Sequence, residues 1–138
     1  MNTLYLVDTS AWARVRNPAV ADQLEPLLTA GRIATCAMLD LEALRQARDA
    51  TSVEQVMVGR DGLRWLPTPD DVWDRVLEVQ AELSSSGRRT SVAVPDLIIA
   101  AVAARHQAVV LHYDRDYDVI AEITGQPVEW VVPAGSVN

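Results

Sequence analysis

Four acidic stations along the chain sit where carboxylates can do chemistry. Asp8 follows the apolar run Leu4-Tyr5-Leu6-Val7 and precedes Thr9-Ser10. Glu42 has Met38 four residues before it and Arg45 three after it, on the same face of a helix. Asp96 follows Pro95 and opens the apolar, alanine-rich stretch Leu97–Ala104, so it lies at the mouth of a helix that must be buried. Asp114, with Asp116 two residues on, follows a second strongly apolar run. Each has an ordinary alternative. Asp8, Asp114 and Asp116 can cap helices, and Asp96 can answer a helix dipole. Glu42 can pair with Arg45 or Arg48 on the surface. Together they have a more economical explanation. Converging carboxylates repel and raise one another's pKa, and a divalent cation relieves this. A set of hard oxygen donors suits Mg2+ or Mn2+ rather than zinc.

Composition narrows the chemistry further. The chain carries 12 arginines, no lysine and 19 acids, for a net charge of −7. Without lysine there is no GK[ST] phosphate loop and no Schiff base to pyridoxal phosphate. One cysteine, Cys36, and two histidines, His106 and His112, are too few for a protein-built zinc site and allow no internal disulfide. The acidic balance opposes avid, sequence-independent nucleic-acid binding, although a nucleic acid held at a metal site remains compatible with it. No apolar run approaches the roughly 20 residues of a membrane span, so the expectation is a soluble, cytoplasmic protein with no membrane partner.

The elements that must position these acids alternate between strand and helix. Leu4–Val7, Ile33–Thr35, Trp65-Leu66, Ala108–His112 and Val128–Val132 read as strands. Helices are expected over Ala11–Val15, from Pro18 to Gly31, over Cys36–Arg48, over Val53–Leu63, from Asp70 to the serines at 84–86, over Pro95–Ala104, and up to Ile123. In the fifth of these, Val72, Val76, Val79 and Leu83 repeat at helical spacing. Short, continuously apolar strands separated by helices predict an α/β domain spanning residues 1–138, three-layered, with a mainly parallel sheet. Ligands of such a sheet sit beyond the carboxyl ends of its strands, where Asp8 and Asp114 fall.

With these residues in view, the chain resembles the PIN-domain nucleases, and most closely the VapC-type toxins of bacterial toxin–antitoxin pairs. The matching segments are Leu6-Val7-Asp8-Thr9-Ser10-Ala11-Trp12, Leu39-Asp40-Leu41-Glu42-Ala43-Leu44, Pro95-Asp96-Leu97-Ile98-Ile99-Ala100-Ala101 and His112-Tyr113-Asp114-Arg115-Asp116-Tyr117. The resemblance implies a PIN-like α/β/α fold. It implies Asp8, Glu42, Asp96 and Asp114 as catalytic, metal-site acids, with Asp116 as the additional acid of the last motif. It places Thr9 or Ser10 where the family uses a hydroxyl beside the first Asp, which makes both candidate substrate contacts. It further implies Mg2+, replaceable by Mn2+, an RNA substrate, a VapB-like antitoxin reaching across the acids, and homodimers within toxin–antitoxin hetero-oligomers.

The expected activity is metal-dependent hydrolysis of RNA phosphodiesters by an activated water. Arg88 and Arg89, in the loop before Asp96, are candidate phosphate contacts; Arg14 or Arg16 could serve in the same way, but solvated surface is the favoured reading of those two. The alternatives are a non-catalytic PIN-fold binding module and a phosphatase with an aspartate nucleophile. The phosphatase wants a second Asp where Ser10 stands, and a Lys. If the basic loop contacts phosphate, replacing Arg88 and Arg89 together by Ala raises KM for RNA more than it lowers kcat and flattens the salt dependence of binding.

Overall fold

Strand β1 (Tyr5–Val7) lies at the centre of a five-stranded sheet, with β2 (Ile33–Thr35) on one side and β4 (Val109–His112) on the other. The edges are β3 (Arg64–Trp65) beside β2 and β5 (Val128–Trp130) beside β4, and every pairing is parallel. This computed structural model describes residues 2–87 and 92–138. Arg88 and Arg89, read above as substrate contacts, lie outside the described residues.

Side chains of a strand alternate between faces, and here the alternation divides the core into two layers. Leu6, Ala34 and Val110 pack on one face beneath α5 (Asp70–Ser85), α6 (Val94–Arg105) and α7 (Asp116–Thr124). Val7, Ile33 and Leu111 pack on the other face against α1 (Thr9–Trp12) and α2 (Pro18–Thr29). The result is the expected three-layer α/β/α architecture. Helix α6 is buried almost throughout, from Asp96 to Ala103, which explains its continuous apolar sequence. Helix α5 buries only Val72, Val76, Val79 and Leu83, the stripe its spacing predicts, and leaves Trp73 and Leu77 exposed. Helix α3 (Ala37–Gln46) buries Leu39 and Asp40, while α4 (Ala50–Asp61) buries no residue fully.

Several element ends differ from the sequence reading, and local hydrogen bonds explain two of them. Helix α1 starts at Thr9 because the Asp8 carboxylate accepts from the Ser10 N–H, and α4 starts at Ala50 because Asp49 caps it through Ser52. Leu4 precedes β1, and Val131 and Val132 are buried beyond the end of β5.

The crossover from β1 to β2 runs over one face of the sheet and that from β4 to β5 over the other. The carboxyl ends of β1 and β4 therefore flank a topological switch point. Ile99, fully buried in α6, anchors the layer that carries Asp96 to this point. Ile99→Ala is expected to cost about 2–5 kcal/mol in urea unfolding, and Trp73→Ala less than about 0.5 kcal/mol.

Candidate active site

At the switch point, Asp8 ends β1 and caps α1, with φ −71° and ψ 155°. Its Oδ2 accepts from the Ser10 N–H (3.0 Å) and the Ser10 hydroxyl (2.6 Å). Its Oδ1 accepts from the Tyr117 hydroxyl at 2.7 Å, and that phenol oxygen lies 3.3 Å from Asp96 Oδ1. The Ser10 hydroxyl oxygen also accepts from the Tyr113 N–H at 2.9 Å, tying the end of β1 to the end of β4. Asp114 Oδ1 accepts from the Asp116 N–H at 2.9 Å, which shapes the entry to α7. Glu42 reaches in from α3, its Oε1 accepting from the Thr9 hydroxyl at 3.2 Å.

Asp96, Asp114 and Asp116 each offer a carboxylate oxygen, and these oxygens all lie within 4.8 Å of one another. Asp8 and Glu42 stand outside this tightest trio but within its field. Burial raises the Asp96 pKa to about 7, and the charges of Asp8, Asp114, Asp116 and Glu42 all push it the same way. Burial and then Asp8 raise Glu42, against the bond from Thr9. Burial and then Asp114 raise Asp116. The N-termini of α6 and α7 aim their partial positive charge at this cluster without offsetting it. Among the described residues no arginine forms an ion pair with any of the five acids. Closely set hard oxygens carrying unbalanced negative charge fit a divalent cation.

Comparison with known proteins is consistent with this geometry. The family model of the PIN domain matches residues 5–123. Ribonuclease VapC21 of Mycobacterium tuberculosis is 47% identical over 137 residues, covering 99% of each chain. The chain belongs to the PIN-domain family, among its VapC members. Ribonuclease VapC51 of the same species is 40% identical over 134 residues, covering 97% of each chain. VapBC-1 of nontypeable Haemophilus influenzae shares the fold, with a TM-score of 0.76 at 18% identity, over 94% of this chain and 98% of that one.

This PIN domain also holds residues that sequence reasoning passed over. Tyr117, given no role above, is fully buried, and its hydroxyl is the donor shared by Asp8 and Asp96. Burial and the two carboxylates keep that phenol protonated, with its pKa well above the usual value. His112, fully buried, accepts from the Asp114 N–H at Nδ1, and burial lowers its pKa, so it is neutral and positions Asp114. The Ser10 and Thr9 hydroxyls give their protons to Asp8 and Glu42. The surface pairing of Glu42 with Arg45 or Arg48 is absent among the described ion pairs. Arg14 is no solvated side chain: its guanidinium lies over the Tyr113 ring, 4.4 Å from the centroid, whereas Arg16 is exposed as read. Cys36 is fully buried, and that burial pushes its thiol up to about 11.

The Asp96 pKa, about 7 against an ordinary 3.8, means the metal-free folded state holds this proton more tightly than the unfolded chain does. The associated stability is complete below about pH 4 and is lost as pH rises to about 7. The melting temperature of metal-free protein is therefore expected to fall between pH 5 and 8, with Asp96→Asn flattening the curve. Because a cation displaces the proton, stabilisation by Mg2+ should grow over the same interval, measured by differential scanning fluorimetry.

Proposed function

We propose that this chain is a metal-dependent endoribonuclease and the toxin of a type II toxin–antitoxin pair. One observation carries the reading: four acids drawn from β1, α3, the β4–α7 turn and α7 converge on Asp96, in a chain 47% identical to a protein named Ribonuclease VapC21. Mg2+ suits the donors, and Mn2+ can substitute for it. Asp96, Asp114 and Asp116 offer the closest oxygens, and Asp8 and Glu42 complete the set. When bound, the cation lowers the pKa of a water and stabilises charge on the phosphoryl oxygens.

The chain's own residues do the rest. The Tyr117 hydroxyl and Ser10 orient Asp8. Thr9 holds Glu42 by Oε1, leaving Oε2 as its oxygen for the cation. His112 and the Asp116 N–H orient Asp114.

A VapB-like antitoxin that places an arginine or lysine among these acids would compete with the cation for the same negative field. Exposed apolar side chains, among them Leu28, Trp73 and Leu77, offer surface for the antitoxin and for a second copy of the chain in a homodimer. The solved VapBC-5 of Mycobacterium tuberculosis, which shares the fold, is named as a member of the VapBC family of toxin-antitoxin systems.

Labelled RNA incubated with purified protein and Mg2+ tests the activity. Asp8→Asn and Asp96→Asn are each expected to lower cleavage by at least about a hundredfold while the circular dichroism spectrum is kept. Asp70→Asn, at an exposed helix start on α5, should cleave like wild type and cost at most about 1 kcal/mol of stability. Normal metal-dependent turnover in Asp8→Asn would overturn the reading.

A further inference from the structure

A second opening adjoins the acids. Ser10, Arg14, Tyr113, Asp114, Arg115 and Trp130, together with Val137, line an open cavity of about 690 Å3. Asp114 thus borders both this cavity and the carboxylate trio. Arg14 is held from two directions, donating from Nη1 to the Ser10 carbonyl oxygen at 2.7 Å and stacking over Tyr113. Its Nε is buried without a hydrogen-bond partner. Arg115 is exposed, and among the described residues neither arginine forms an ion pair. The Tyr113 hydroxyl donates to the Val137 carbonyl oxygen at 2.8 Å and accepts from the Val137 N–H at 3.1 Å, which pins the far wall.

We propose that this cavity is the subsite for the phosphate next to the one cut, held by Arg14 and Arg115. The proposal rests on the ribonuclease reading. A polyanion approaching five carboxylates on a chain of net charge −7 is repelled unless cations stand on its path. Two guanidinium groups that line the same cavity as Asp114, neither in an ion pair among the described residues, supply them, with donors suited to phosphate oxygens. The bracing of Arg14 gives it a fixed register. Its hydrogen bond goes to Ser10, whose hydroxyl holds Asp8, and its stacking partner Tyr113 precedes Asp114 in the chain. The guanidinium and the acids therefore share one frame, which is what contacting successive phosphates of a single strand requires. An acidic peptide would have no use for that register.

The test uses the full chain with Mg2+ and a short, fluorescein-labelled single-stranded RNA of mixed sequence. Binding is followed by anisotropy and cleavage by gel. Arg115→Ala removes an exposed side chain and should leave folding intact, while Arg14→Gln keeps the stem and a donor for the Ser10 carbonyl. Each variant is expected to bind about 5- to 20-fold more weakly, with kcat at saturation unchanged. The slope of log affinity against log salt should shrink by about 0.7 for each. If both variants bind with wild-type affinity and salt slope while cleavage is retained, the subsite is overturned and the ribonuclease reading stands. If an acidic peptide but no RNA binds wild type in the Arg115-dependent manner, the subsite is likewise overturned. A wild-type chain that cleaves no RNA with any divalent cation overturns the ribonuclease reading and the subsite with it.

Discussion

The hydrogen bonds around the Asp8 carboxylate hold together the end of the molecule where the acids meet. Asp8 is 4% exposed, and a carboxylate so placed costs several kcal/mol unless it is satisfied. Ser10 satisfies one oxygen from α1, and Tyr117 satisfies the other from α7. Ser10 in turn receives the Tyr113 N–H from the end of β4, and Tyr117 reaches Asp96 at the start of α6. Two strands and three helices are thereby joined through one side chain. Because each partner serves a second acid or strand end, moving Asp8 would disturb the whole cluster.

What these bonds secure is an arrangement that electrostatics alone disfavours. The contrast with Asp40 shows how a structural acid is handled in the same fold. Asp40 is also buried, but its oxygens accept from the Thr35 hydroxyl at 2.7 Å and from Arg60 Nε at 2.6 Å, so its charge is balanced. Asp96 has four acids around it and, among the described residues, no ion-pair partner, and burial with those charges raises its pKa to about 7. An imbalance of this kind is characteristic of sites that await a ligand, since stability given up in the free protein is recovered on binding.

The same end of the sheet also directs what can approach. β1 and β4 are adjacent, and their following helices leave over opposite faces, which opens a crevice between them. On one side stand Glu42 and Thr9, and on the other the cavity carrying Arg14 and Arg115. The negative trio and the braced arginine thus lie on a single rigid scaffold of buried strand ends.

Much of this was legible in the linear sequence because the signals were local. Apolar runs ending in Asp marked the strand ends of β1 and β4, the helical spacing of Val72, Val76, Val79 and Leu83 marked α5, and Pro95-Asp96 before an apolar run marked a buried helix mouth. The absence of lysine and the single cysteine set which chemistries were available. Other features depend on contacts distant in sequence. Asp40 and Glu42 stand two residues apart on α3, and no local pattern separates them. Asp40 is neutralised by Arg60, 20 residues on, while Glu42 meets Thr9, 33 residues back. Nothing in the sequence around Tyr117 shows that the fold brings its hydroxyl to Asp8, 109 residues away. Arg14 and Arg16 look alike until Tyr113 supplies a ring beneath one of them. Residue type and spacing determined which side chains could do chemistry here, whereas only tertiary packing decided which charges were balanced and which were left for a ligand.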